Sequence, residues 1–179
     1  MNRVLAFAIS GLLGLGFAQT TVAAGPASDP VASAISAAPP SIGQHATVMG
    51  LDMKILRKGD NGWTCFPDDP NSPGDDPMCM DANGMEWMMA FMNHTAPPAT
   101  KVGMSYMLQG GSDASNLDPS FTKPPTGGKW VTTGPHLMIL NASVAAASGY
   151  PAGQADPDTS RPYVMWSGSP YAHIMFPVK

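Results

Sequence analysis

Residues 78–92, with the sequence MCMDANGMEWMMAFM, indicate how the chain folds, because a cysteine, a helix start and an apolar helix follow one another there. Asn83 and Glu86 have the spacing of a capping box, so a helix is expected to begin at Asn83. It should run to about Asn93, since Pro97 and Pro98 prevent its continuation. This is the principal helix that the sequence predicts.

The methionines of this helix follow the helical period. One stripe of the helix contains Met85, Met88, Met89 and Met92. Trp87 and Phe91 form a second stripe beside it. A helix that is apolar on two faces is expected to be buried, and methionine fills irregular gaps in a core. We therefore predict that these methionines pack in the core.

The rest of the chain is typical of short strands and long loops. Residues 102–108 alternate in the manner of a strand, and residues 53–66 resemble a β-hairpin that turns at Asn61-Gly62. Further strands are expected at 130–132, 136–140, 163–166 and 173–176, a short Ala-rich helix at 142–148 and a long loop at 110–129. The fold class is therefore α+β, loop-rich, with one principal helix packed on a mainly antiparallel sheet.

The chain has two cysteines, Cys65 and Cys79, which we predict to form a disulfide. The bond would close an Asp- and Pro-rich loop of about 15 residues, and loop-closure entropy gives such a bond about 3 kcal/mol of stabilisation. The alternative is a metal-binding thiol pair. Zinc sites use closer cysteine spacing or further Cys and His nearby, and this pair has neither.

The N-terminus has the pattern of a signal peptide: a positive start with Arg3, an apolar run over residues 4–18, and small residues before Gly25. The domain organisation predicted is a signal peptide at 1–24, a disordered Ala/Pro/Ser leader at 25–41 and one globular domain at 42–179. The protein is thus expected to be periplasmic or extracellular, with no stable membrane anchor after signal removal, because the apolar run is shorter than the roughly 20 residues a bilayer requires.

Charge limits the class of partner. The formal net charge is −4, and loss of Arg3 with the signal would make it −5. Nucleic acids and anionic membranes are bound by basic patches, so neither is an expected partner. The ligand or protein partner is not identified by composition.

Metal binding by soft or imidazole ligands is one functional hypothesis. Met78 and Met80, with His94 nearby, have the thioether chemistry that suits Cu(I). Alternatively His94, His136 and His173, at the ends of predicted elements, would converge on a three-histidine site for copper or another metal ion. The competing interpretations are isolated histidines that hydrogen-bond, core methionines, and exposed methionines that scavenge oxidants.

Two loops carry further candidates. Asp-rich segments at 68–76 and 113–118 have the oxygen ligands that Ca²⁺ prefers, although Asp beside Pro and Gly is also ordinary turn chemistry. Ser112 with a histidine is the weakest candidate, a nucleophile in a small hydrolase, because no nucleophile-elbow motif surrounds it.

Several blocks resemble a family of uncharacterised exported bacterial proteins to which no activity is attached. These blocks are residues 56–65, 78–87, 110–116, 128–131, 134–136 and 163–166. The resemblance covers most of residues 50–179 and implies bacterial export, but it transfers no catalytic residue. Taken together, the sequence favours an exported, non-catalytic binding domain for a metal ion or small ligand. A small exported hydrolase and a structural or interaction domain are the alternatives.

Overall fold

The computed structural model describes residues 29–141 and 149–178. Within them, three helices accompany ten short strands. The helices are α1 (Pro30–Ser36), α2 (Pro40–Gly43) and α3 (Ala82–Met92). The strands are β1 (Thr47–Met49), β2 (Ile55–Arg57), β3 (Thr64–Phe66), β4 (Met78–Met80), β5 (Gly103–Met107), β6 (Gly111–Asp113), β7 (Val131–Thr133), β8 (His136–Leu140), β9 (Tyr163–Met165) and β10 (His173–Pro177).

Eight strands form one sheet in the order β2-β1-β3-β4-β5-β8-β10-β9, and β6 pairs with β7 in a separate ribbon. All pairs are antiparallel except β1 with β3. The predicted α+β class with a mainly antiparallel sheet is confirmed. The strands expected at 136–140, 163–166 and 173–176 are present, and β6 lies inside the stretch that was expected to be loop.

The sheet is covered on both faces. Helix α3 packs on one face, where Trp87 joins a core cluster with Met138, Leu140 and Met175. Helix α1 packs on the other face, against β1, β3 and β4, and α2 packs against α1. There, alanines of the predicted leader contact Val48 and the disulfide. The principal helix therefore lies on the sheet as predicted, and two short helices that the sequence did not predict lie behind it.

The N-cap residue of α3 is not the predicted one. Asp81, not Asn83, is the N-cap residue: its Oδ1 accepts hydrogen bonds from the amides of Gly84 at 2.7 Å and Met104 at 3.2 Å. Asn83 instead donates from Nδ2 to the carbonyl of Val102. An aspartate cap satisfies a free amide of the first turn and here also ties the helix to β5. The helix ends at Met92, with Asn93 as its C-cap, in agreement with the predicted end at about Asn93.

The prediction that all four methionines of α3 pack in the core is wrong for two of them. Met89 and Met92 are 40% and 46% exposed, whereas Trp87 and Ala90 are buried. The stripe with Trp87 thus faces the sheet, Met88 packs partly buried against the same core cluster, and Met85 is half-buried. Two adjacent apolar stripes give a sequence no local means of ranking them, because the partner surface decides which one is buried.

The predicted hairpin over residues 53–66 is also wrong, because β1 lies between its two strands. β2 pairs antiparallel with one edge of β1, and β3 pairs parallel with the other. The intervening segment crosses the start of β1 instead of reversing directly: the Asp60 amide donates to the His45 carbonyl at 2.9 Å. Gly59 passes so close that a Cβ there would lie 2.2 Å from the Ala46 carbonyl carbon. Only glycine permits that approach.

The leader requires a correction, since residues 30–43 hold two helices where disorder was predicted. Ala34, Ala37 and Ala38 are at most 5% exposed, and the Ala37 carbonyl accepts a hydrogen bond from the Leu108 amide. Small side chains let the backbone of α1 approach the sheet closely, and alanine has the highest helix propensity. A composition poor in large apolar residues therefore did not mean disorder here.

Cys65 and Cys79 form the predicted disulfide, and they are directly opposite each other on β3 and β4. The proposed signal peptide at 1–24 and the Ala-rich helix at 142–148 lie outside the described residues. In the described part of the chain, no helix has the length and hydropathy needed to cross a membrane.

Candidate ligand-binding cleft

A cleft of about 410 Å³ opens between α3, the sheet and the disulfide loop. Most of its lining is apolar and falls into two groups. Six methionines line it: Met53, Met78, Met88, Met92, Met107 and Met138. Four aromatic residues do so as well: Phe66, Trp87, Phe91 and Trp166. A cavity of this size and lining is typical of sites for small organic molecules.

The register of the strands places the methionines of the sheet on one face, where they line the cleft. Met78 lies opposite Phe66, and Met138 lies opposite Ser105, two residues before Met107 on β5. Since alternate residues of a strand share a face, these thioethers lie on the face that α3 covers. Methionine side chains are flexible and polarisable, so a wall built from them adapts to the shape of a ligand.

The aromatic side of the cleft is a stack of nearly parallel rings. The ring centroids of Trp87 and Trp166 are 6.2 Å apart with planes 3° apart, and Phe91 stacks on Trp166 at 5.3 Å. Trp166 has a φ of 54° and is fixed by its Nε1, which donates to the Ser115 carbonyl at 2.9 Å. The Nε1 of Trp87 is buried and has no hydrogen-bond partner in the described residues.

Carboxylates form the polar part of the lining. Asp69, Asp76 and Asp113 all line the cleft, beside Ser112. Burial, together with the neighbouring Asp76, raises the pKa of Asp113 to about 7, and burial also raises the pKa of Asp76. With a pKa of about 7, the Asp113 carboxyl is protonated in a large fraction of molecules at neutral pH, and a positive charge in the cleft would favour its ionised form.

The aspartates of the disulfide loop hold the loop together through hydrogen bonds. The carboxylate of Asp76 accepts from the Asp69 amide and the Ser72 hydroxyl, and Asp68 accepts from the Asp76 amide at 2.9 Å. The Ser112 hydroxyl donates to the Pro73 carbonyl at 2.6 Å, which attaches the loop to β6. These are the turn contacts expected of aspartate, and they hold one wall of the cleft.

Of the predicted metal ligands, Met78 and His173 line this cleft, and the others do not. His173 meets Trp87 and Trp166 edge-on, with ring centroids 5.4 and 5.0 Å away. Its Nδ1 lies 2.9 Å from the Tyr171 carbonyl and therefore carries the proton. Burial, with a smaller contribution from His136, lowers the pKa of His173 to about 4, so the ring is neutral at pH 7.

The three histidines are not brought together. His94 is exposed at the end of α3, whereas His136 is fully buried, with its Nδ1 2.8 Å from the Gly134 carbonyl. His136 pairs with Pro177 and His173 with Leu140, which places them four residues apart along β8 and β10. Met80 is fully buried and outside the cleft. Across residues 29–141 and 149–178, no group of three or more His, Cys, Asp or Glu residues could hold a metal ion. The predicted three-histidine site is therefore not formed.

Hydrolytic chemistry needs a hydroxyl hydrogen-bonded to a base. Ser112 and His173 both line the cleft, but the Ser112 hydroxyl donates to Pro73 and the His173 ring bonds to Tyr171. No hydrogen bond between these two side chains exists in the described part of the chain. The nucleophile and base of a hydrolase are therefore not paired here.

Comparison with known proteins adds no relative. No protein-family model matches, and neither curated proteins nor solved structures give a significant match. The resemblance to uncharacterised exported bacterial proteins therefore stays a prediction. The sequence predicts only part of the site. Met53, Met107 and Met138 are far apart in the chain, and tertiary structure brings them together, through the register of β5 and β8 for Met107 and Met138.

Proposed function

We propose that this protein is an exported, non-catalytic binding domain that takes a small organic molecule into the cleft between α3 and the sheet. The observation that carries the proposal is the cleft itself, about 410 Å³ in volume, with six methionines and four aromatic rings in its lining. Its mouth is apolar as well: Leu51 and Met92, both lining residues, are 50% and 46% exposed. Exposed apolar surface beside a cavity is characteristic of a binding site.

Export is part of the proposal and rests on the sequence, with one structural support. The N-terminal residues have the order of a signal peptide, and the disulfide between Cys65 and Cys79 suits an oxidising compartment. A periplasmic or extracellular location would give the cleft access to molecules outside the cytoplasm.

The proposal is tested by titrating the protein with a neutral apolar probe, 2-(1-naphthyl)ethanol, in a calorimeter. Met88→Trp would place a large ring in the cleft, and Met89→Trp is the matched control, because Met89 lies one residue away and outside the cleft. We expect saturable one-to-one binding that weakens at least tenfold in Met88→Trp and is unchanged in Met89→Trp. Absence of saturable binding, or equal weakening in both variants, would contradict the proposal.

A second candidate is a soft metal ion, favoured by one specific observation. Met78 and a neutral His173, whose Nε2 keeps its lone pair, line the same cleft as Met107 and Met138. Thioethers and imidazole suit Cu(I). Native mass spectrometry with Cu(I) tests this: a one-copper adduct lost in Met78→Leu and kept in Met80→Leu would support copper. A bare mass, or equal retention of copper in both variants, would exclude these ligands.

A further inference from the structure

The charged groups of the cleft all have one sign. Asp69, Asp76 and Asp113 line it, and no Lys or Arg is among the described residues that do. His173 is neutral at pH 7. Among the described residues, the ion pairs formed by lysine and arginine go elsewhere: Lys54 to Asp52, Lys101 to Glu86, Lys129 to Asp156 and Arg161 to Asp158. The cleft therefore has acidic groups without a protein counter-charge.

Asp113 differs from its two acidic neighbours. The carboxylate of Asp76 accepts from Ser72 and Asp69, and the carboxylate of Asp69 accepts from Asn71. No hydrogen bond or ion pair to the Asp113 carboxyl is found within residues 29–141 and 149–178. Asp113 is half-buried, and a carboxyl that is partly withdrawn from water without a partner is unfavourable, so its interaction capacity is free for a group that enters the cleft.

The remaining lining suits the rest of such a ligand. The aromatic faces of tryptophan attract organic cations, and thioethers pack against the methylene and ring carbons next to a charged nitrogen. An anionic ligand would instead meet three carboxyl groups with no basic residue to compensate them. The cleft thus combines an apolar wall with an acidic anchor.

We infer that the ligand is an amphipathic organic cation, with an apolar or aromatic body among the methionines and rings and a protonated amine against Asp113 beside Asp76. This inference rests on the proposed function and specifies the class of molecule that the cleft selects. Asp113 acts as the anchor that distinguishes a cation from a neutral molecule of the same shape. Carboxylates and phosphates are excluded by the same residues.

Three probes that share one apolar body test the inference at pH 8, where Asp113 can ionise. They are 2-(1-naphthyl)ethylammonium, 2-(1-naphthyl)ethanol and 3-(1-naphthyl)propionate, each titrated calorimetrically. We expect the ammonium to bind at least tenfold more tightly than the alcohol, and the carboxylate to bind more weakly than either. In Asp113→Asn the ammonium and the alcohol should bind within threefold of each other.

Asp75→Asn is the matched control, because Asp75 is an exposed neighbour of Asp76 that does not line the cleft and its replacement changes the net charge equally. It should keep the preference for the ammonium. If Asp113→Asn does not fold, the affinities of the wild-type protein for the ammonium and the alcohol still test the cation inference. Equal binding of ammonium and alcohol would overturn the cation inference and leave the proposed function standing. If no probe binds in the cleft, the proposed function fails and the inference fails with it.

Discussion

Gly84 in α3 and Gly103 in β5 are in such close contact that a Cβ built on Gly103 would lie 2.6 Å from the amide nitrogen of Gly84. No side chain could be inserted between the helix and the strand at this point. The first turn of α3 is thereby held against the sheet, and Trp87 and Phe91, further along the helix, reach the cleft. This glycine contact sets the distance between the two walls of the candidate site.

Gly103→Ala should therefore destabilise the protein, by about 2 kcal/mol or more, because backbone must move to admit the methyl group. Gly134→Ala is the control: a Cβ added at Gly134 would meet nothing within 4 Å, and this residue does not adopt a positive φ. Urea unfolding measures both. If Gly103→Ala were as stable as Gly134→Ala, the close packing of α3 on β5 would be contradicted.

Helix α1 should contribute to stability although the sequence gives it the composition of a linker. Ala34→Asp would bury a carboxylate against Val48 and the disulfide, so we expect a loss of about 3 kcal/mol or more. Ala32→Asp, two residues earlier and exposed, should change stability by less than about 0.5 kcal/mol. Thermal and urea unfolding would show this contrast. Equal, small effects would mean that α1 does not pack on the sheet.

Loss of the disulfide should be costly in proportion to the loop it closes. Cys65→Ala/Cys79→Ala should unfold with about 3 kcal/mol less free energy than the wild type. Both cysteines are fully buried, and Cys79 Sγ lies 3.6 Å from the Ala34 carbonyl oxygen, so alanine is the least disruptive replacement. A reductant should destabilise the wild type and have no effect on the double variant. An unchanged unfolding free energy would show that the bond does not stabilise the fold.

The pH dependence of stability should contain two opposing contributions. The pKa of His173 is about 4 in the folded protein and ordinarily 6.5. Because the unfolded chain takes up this proton first, the free energy of unfolding is highest above pH 6.5 and decreases as the pH falls toward 4. The full decrease in the free energy of unfolding that His173 causes is about 3 kcal/mol. The lowered pKa of His136 acts in the same direction. The pKa of Asp113 is raised from 3.8 to about 7, so its contribution is present at low pH and is lost as the pH rises toward 7.

Asp113→Asn should separate these contributions. The wild type should change little in stability between pH 4.5 and 7, because the two contributions nearly cancel. The variant should be more stable than the wild type at pH 8, by about 4 kcal/mol, and should lose stability steeply below pH 6.5. Urea unfolding at several pH values measures this, with Asp75→Asn expected to parallel the wild type. Parallel profiles for Asp113→Asn and the wild type would refute the burial of Asp113.

Local patterns predicted the parts of the fold that local interactions determine. The extent of α3 follows from its apolar run and the prolines beyond it, and strands such as β8 and β10 follow from short apolar runs between turns. The order of the strands depends on pairing between distant segments. β1, inserted between β2 and β3, could not be inferred from the Asn61-Gly62 turn signal. The Asn61 side chain accepts a hydrogen bond from the Trp63 amide and donates one to the carbonyl of Ile42, 19 residues earlier in the chain.

The candidate site was predictable only residue by residue. The ligand chemistry of Met78 and His173 predicts a role in binding, and both residues line the cleft. His94, His136 and Met80 have the same chemistry but lie in exposed or enclosed positions, which depend on the tertiary structure. The role of Asp113 was not foreseen for the same reason. Its sequence context is an ordinary polar loop, and the burial that raises its pKa comes from packing.

The central claim is that the cleft binds a small molecule, and nuclear magnetic resonance of ¹³C-methyl methionine tests it most directly. The protein contains 14 methionines, six of which line the cleft, while Met85 and Met89 lie outside it on α3. On titration with 2-(1-naphthyl)ethylammonium, the six cleft signals should shift along one saturating curve, and those of Met85 and Met89 should stay in place. Shifts confined to Met85 and Met89, or no saturable shift at any methionine, would contradict the claim.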